Sequence, residues 1–144
     1  MSQRFTIKCS DDWCDVTDEV DGERPPRTLA RPQGVGALQF SVAAYLGGDL
    51  PNPPPQDLLS LLADFARSHQ LGDMTDVVVE GGHRQLAAAS FSFGEDYLRV
   101  WYASDGKSFA KVTHTSAWGE QHSELPDCER MVRTLQFECF WCPL

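Results

Sequence analysis

The sequence predicts an α+β fold: a central, mainly antiparallel sheet of about six strands flanked by two main helices, an α/β/α sandwich. Three observations predict it. One segment carries a helical apolar stripe between Pro55 and Gly72. A succession of extended segments follows it, separated by glycine-bearing turns. Pro126 then opens a second apolar stripe near the end of the chain. Runs of strands with few helices layer as a sheet covered by helices. The chain has 144 residues, 42% hydrophobic and 23% charged, which is the size and composition of one domain spanning 1–144. At this length roughly two-thirds of the unfolded chain's surface can be buried, so stability requires neither disulfide nor metal.

The elements follow in order. Arg4 to Cys9 alternates apolar and polar, which places Phe5, Ile7 and Cys9 on one face of a first strand. An acidic stretch comes next: Asp11, Asp12, Asp15, Asp18, Glu19, Asp21 and Glu23, interrupted by Trp13, Cys14, Val16 and Val20. Arg24-Pro25-Pro26-Arg27 closes it with a turn or extended segment. A second strand runs from Arg27 to Arg31 and is broken by Pro32-Gln33-Gly34. Ala37 to Tyr45 forms a third, whose Leu38, Phe40 and Val42 face lies opposite partly small residues, the pattern of a strand covered on both sides.

Pro51-Asn52-Pro53-Pro54-Pro55 makes a rigid loop, and the first helix starts at Pro55, because proline is tolerated at the first helical position and disfavours helix in the residue before it. Asp57 suits the positive end of the helix dipole. Leu58, Leu61, Leu62 and Phe65 form the apolar stripe, and Gly72 is placed to stop the helix. Four extended segments come after it: Asp76–Glu80, Arg84–Phe93, Tyr97–Ala103 and Ser108–Thr115. The Asp105-Gly106 pair marks the hairpin between the last two. Beyond a loop from Ser116 to Glu124, Pro126 opens the second helix, with Cys128, Met131, Val132 and Leu135 as its buried stripe. In the aromatic tail Phe137, Phe140 and Trp141 are expected to pack down.

With 12 Lys+Arg against 21 Asp+Glu the formal net charge is -9. That balance argues against nucleic acid, which calls for a basic footprint, and against an anionic membrane surface. It permits a basic protein partner steered in electrostatically, although acidity also serves solubility alone. The N-terminus lacks the apolar core of a secretory signal, and the five cysteines then belong in a reducing compartment, so a cytoplasmic location is expected.

Pro32-Gln33-Gly34-Val35-Gly36-Ala37-Leu38-Gln39-Phe40-Ser41-Val42-Ala43-Ala44-Tyr45, with the proline loop and Asp57-Leu58-Leu59 helix start behind it, resembles the Mog1/PsbP-like family of small bacterial proteins. The close Glu129-Arg130-Met131-Val132-Arg133-Thr134-Leu135-Gln136-Phe137 resembles that family's helix-to-strand ending. The likeness spans about residues 4 to 138 and consists of element order and hydrophobic spacing. It implies an antiparallel sheet sandwiched by helices, in proteins that serve mostly without catalysis as adaptors, effector chaperones, photosystem subunits or immunity-like proteins. It carries no functional motif, so fold sets only an expectation of function.

The chemistry-bearing residues are sparse. Cys9 and Cys14, with the C-x-x-C of Cys139 and Cys142, would supply four thiolates to zinc if the termini met. Against this, neither pair has a glycine knuckle, and Cys9 on an apolar strand face acts as a small hydrophobe. Cys139 and Cys142 lie after the last helix, not at a helix N-terminus where a redox pair gains its thiolate. There is no G-x-S-x-G around Ser90 or Ser92, and His69, His83, His114 and His122 are scattered as surface or hydrogen-bonded residues. Gly34-Val35-Gly36 and Gly81-Gly82-His83 lack the rest of a phosphate loop. No cofactor, no metal site and no acid/base pair is therefore assigned.

What remains is Asp11, Asp12, Trp13, Asp15, Asp18 and Glu19, an aromatic among acids that reads either as a partner surface or as a strand whose Trp13 faces the core. Trp118, in a loop where burial is harder, is the second interface candidate. Trp101 and Tyr102 take opposite faces of one strand, so one of them is covered by a helix or presented. The expected function is a non-enzymatic, acidic protein-binding module, an immunity protein or secretion-effector adaptor for a basic partner. The alternatives are a small-molecule- or metal-binding enzyme with an unrecognised cleft, and a structural subunit of a larger assembly.

Overall fold

The computed structural model describes residues 5–17, 27–44, 55–82, 84–104 and 108–137. Its elements are β1 (Phe5–Thr6), β2 (Cys14–Asp15), β3 (Arg27–Ala30), β4 (Gly36–Ala44), α1 (Pro55–Ser68), β5 (Thr75–Glu80), β6 (Gln85–Phe93), β7 (Asp96–Ser104), β8 (Ser108–Ala117), α2 (Leu125–Arg133) and β9 (Gln136–Phe137). A seven-stranded sheet runs β2-β3-β4-β8-β7-β6-β5, and β1 pairs with β9 in a separate ladder. All neighbouring pairs are antiparallel. The α+β class and the antiparallel sheet are as expected; the strand number is slightly higher. The difference lies at the N-terminal edge, where the two-residue β2 joins the sheet and β1 leaves it.

The meander β6-β7-β8 is the frame, and its strict alternation divides the core in two. On one face Leu86, Ala88, Trp101, Ala103, Ala110 and Val112, with Leu38 and Phe40 of β4, meet Cys128, Met131, Val132 and Leu135. On the other face Ala87, Ala89, Phe91, Val100 and Tyr102 meet Leu58, Leu62 and Ala66 of α1. Trp101 and Tyr102 are therefore both buried, one in each layer. Each large side chain so covered contributes roughly 1.5–3 kcal/mol. The β6-β7 turn is tight because Gly94, at φ +62°, supplies the left-handed conformation just before Asp96 pairs with Phe93.

Three local expectations are corrected, and the two readings of Trp13 are resolved. Leu61 is 45% exposed, because α1 packs along the line Leu58, Leu62, Ala66 and Leu61 lies well around the helix from it. Cys9 is exposed; ladder pairing of the first strand covers Phe5–Thr6 alone. Strand β4 is buried on the Leu38 and Phe40 side but has Gln39 half-buried and Ser41 exposed on the other. Trp13 is a core residue. Asp18, Glu19, the proline loop, His83, the Asp105-Gly106 turn, Cys139, Phe140, Trp141, Cys142 and the side chains of Val42 and Phe137 lie outside the described residues. Among the described residues no helix is long and apolar enough to cross a membrane.

Candidate functional site: a cleft at the Trp118 end of the sheet

Alternation along β7 puts Tyr97, Arg99 and Trp101 on the α2 side. Arg99 is thereby carried into the interior and is only 3% exposed. A buried guanidinium is costly unless its charge and its donors are satisfied. Arg99 Nε donates to Glu129 Oε1 at 2.6 Å, and Nη1 donates to the Asp76 carbonyl at 3.0 Å and to Ser90 Oγ at 2.7 Å. Ser90 Oγ also hydrogen-bonds the Tyr97 hydroxyl. Glu129 Oε2 accepts from Trp101 Nε1 at 3.1 Å and from Arg133 Nη1 at 2.8 Å. Arg133 continues to Glu80 at 3.1 Å. Burial alone would raise the Glu129 carboxyl, but the Trp101 hydrogen bond, the Arg99 charge and the Arg133 hydrogen bond outweigh it and hold it below the usual carboxylate range.

Above this network opens a cleft of about 330 Å³, lined by Asp76, Tyr97, Arg99, His122, Leu125, Pro126 and Glu129. Its rim at Asp76 has an unusual backbone. The pairing of β5 with β6 shifts register between Thr75 and Val78, and inside that bulge Asp76 sits at φ +49°. Bulges re-aim side chains, and Asp is among the few non-glycine residues that tolerate the left-handed region. Here the bulge turns the Asp76 carbonyl to Arg99 while the residue lines the cleft.

Beside the cleft the Trp118 ring tilts against Tyr97, with centroids 5.5 Å apart. Trp118 is 58% exposed and Phe93 is 56% exposed, more than any other large hydrophobic residue among those described. Phe93 pairs with Asp96, which pairs in turn with Ala117, and Trp118 N donates to the Glu95 carbonyl at 3.0 Å. Both aromatics therefore stand at one end of the sheet. Glu95, Asp96 and Glu120, all exposed, stand with them.

A second polar cluster is structural. His114 and Glu124 are both fully buried and hydrogen-bond at 2.9 Å through Nε2 and Oε1. Glu124 Oε2 also accepts from Arg31 Nε and from Val35 N, each at 3.0 Å. Gly34-Val35-Gly36 exists for this packing: a Cβ on Gly34 would lie 2.5 Å from Glu124 Oε2, and one on Gly36 would lie 2.2 Å from the Thr115 carbonyl.

The candidates read from the sequence are dispersed. Asp11 and Asp12 are exposed in a turn, with Asp12 at φ +72°. Trp13 is 6% exposed, and its Nε1 donates to Asp127 Oδ2 at 3.0 Å, so it is not presented to a partner. Asp15 is exposed but engaged by Thr17 and lies 3.5 Å from Arg27; the Thr17 hydrogen bond is the main reason its carboxyl is held low. Trp118 is exposed and adjoins the cleft. Among the described residues no group of three His, Cys, Asp or Glu could hold a metal ion. Burial pushes the Cys128 thiol well above its ordinary range. Sequence reasoning missed Asp76, Phe93, Arg99 and Glu129. The signal for Arg99 was its parity with Trp101, which demands a buried counter-charge; nothing in a linear pattern marks Asp76.

No family model matches the chain, and no curated protein matches it. Among solved structures it is similar to a protein from Bacteroides thetaiotaomicron VPI-5482, with TM-score 0.61 and 15% identity, and to cyanobacterial PsbP (CyanoP) from Synechocystis sp. PCC 6803, with TM-score 0.54 and 9% identity. The matches cover 97% of this chain and 47% of the Bacteroides protein, and 93% of this chain and 92% of CyanoP. The chain thus spans about half of the Bacteroides protein. At such identities the likeness establishes fold alone. The chain has a PsbP/Mog1-like fold.

Proposed function

We propose that this chain is a non-enzymatic protein-binding module for a basic protein partner, of the immunity or secretion-effector-adaptor kind and acting in the cytoplasm. One observation carries the reading: Phe93 and Trp118 stand exposed at the same end of the sheet among Glu95, Asp96 and Glu120. Trp118 packs on Tyr97 on the α2 side and Phe93 lies on the side of Phe91, yet both keep more than half of their surface open at this one end, and exposed aromatics beside charged residues are features of protein interfaces. The net charge of -9 steers a basic partner toward it. The face is centred on Trp118, not on Trp13, which is committed to the core.

The test is affinity capture from the native host with the intact chain as bait. A single basic protein should be recovered and should be released at about 1 M salt, where the screening length falls to roughly 3 Å. Recovery of nothing, or capture indifferent to salt, contradicts the reading.

A further inference from the structure

We infer that the cleft beneath Trp118 is a socket for one cationic side chain, arginine or lysine, of the partner, with Asp76 as its carboxylate acceptor. The inference rests on the protein-binding reading above and names the chemistry of one contact within it.

Charge bookkeeping around the cleft singles out Asp76. Arg99 is paired with Glu129, Glu129 is shared with Arg133, and Arg133 is paired with Glu80. Two arginines and two glutamates therefore compensate one another, and Arg99 presents no surplus positive charge to the cleft. The Asp76 carboxylate has no hydrogen bond or ion pair among the described residues, and Asp76 lines the same cleft. One wall carries surplus negative charge. The adjoining wall includes Tyr97, which is itself buried under Trp118 and Ser90, and the exposed Trp118 ring beside the cleft is the aromatic surface within reach of a guanidinium or an alkyl ammonium stem.

The backbone supports the same assignment. A residue at φ +49° is strained for most side chains, and such strain gathers where a side chain must be aimed. The structural partner of Arg99 is the Asp76 carbonyl, which Asn or Gly would also supply from this backbone conformation. The exposed carboxylate thus has no structural partner among the described residues. A volume of about 330 Å³ admits one long side chain.

Two variants isolate the carboxylate without disturbing the turn. Asp76→Asn keeps a residue type that tolerates the left-handed region, and Asp76→Gly removes the strain altogether. The probes are the capped tripeptide acetyl-Gly-Arg-Gly-amide, its citrulline counterpart, free agmatine and acetate, titrated against the labelled intact protein by NMR. The socket predicts that the arginine tripeptide shifts Tyr97, Arg99, His122 and Leu125 amides while the citrulline peptide and acetate do not. Both Asp76 variants should weaken arginine binding about tenfold or more, Asp76→Asn at unchanged thermal midpoint. Equal binding of the citrulline peptide, binding of acetate, or variants that bind like wild type overturn it. Agmatine binding well above the tripeptide also overturns it, since the site would then serve a free amine. If Trp118→Ala abolishes capture of the partner but Asp76→Asn leaves it intact, the socket fails while the protein-binding reading stands. If no partner is captured at all, it is that reading which fails.

Discussion

Arg99 of β7 and Glu129 of α2 meet at 2.6 Å beneath the cleft, and this one pair fastens the second helix to the middle of the sheet. Each partner has further hydrogen bonds, Arg99 to the Asp76 carbonyl and Ser90, Glu129 to Trp101 and Arg133. Removing one partner leaves the other charge buried and uncompensated. Glu129→Ala should therefore cost about 3 kcal/mol or more by urea denaturation. The double variant with Arg99→Met should cost less than the sum of the singles, because the orphaned charge is gone as well.

Glu129 also sets an acid limit on stability. Its folded carboxyl titrates below the ordinary value, so the stabilisation is complete above the unfolded pKa, about 4.3, and drains away as pH falls through the lower folded value. Urea midpoints of the wild type should drop over that window more steeply than those of Glu129→Gln. Parallel curves for the two proteins contradict the assignment.

Gly36 faces a backbone obstacle, the Thr115 carbonyl 2.2 Å from where a Cβ would stand. Gly36→Ala should destabilise by about 1–3 kcal/mol or more, since backbone cannot swing aside as a side chain does. Gly34→Ala presses instead on the carboxylate of Glu124 and so disturbs the bonds to Arg31 and Val35. Thermal unfolding of both variants checks this.

Trp13→Phe should cost about 1.5–3 kcal/mol, the worth of a hydrogen bond to a charged group, through loss of the bond to Asp127. It should leave partner capture unchanged. A variant of normal stability that no longer captures the partner would restore the acidic N-terminal segment as the interface.

Cys128 should resist thiol reagents in the native protein, being buried with its thiolate disfavoured, while Cys9 and Cys14 react. Mass-spectrometric mapping of labelled sites reads this directly.

Much of the fold was legible because local signals and tertiary packing agree in it. Pro55 starts α1, Pro126 stands in the first turn of α2, and the β6-β7-β8 meander runs almost where its alternation puts it. Legibility failed where neighbours decide. Leu61 belongs to an ideal stripe, yet the roll of α1 against β6 leaves it exposed. Cys9 alternates correctly but extends past its strand. Of the proposed binding residues only Trp118 was marked in advance, by being aromatic in a loop. Phe93 reads as the last residue of its strand, and only the packing shows that its side chain is left exposed there. Asp76 carries no mark because its role depends on a bulge, a strand-pairing event that a single segment does not encode.

The most direct test of the central claim compares partner capture by the wild type with capture by the double variant Phe93→Ala/Trp118→Ala. Both side chains are more than half exposed, so the thermal midpoint should hardly move. The account predicts that the variant, folded as the wild type is, loses the basic partner. A folded variant that captures the same protein with undiminished affinity contradicts it.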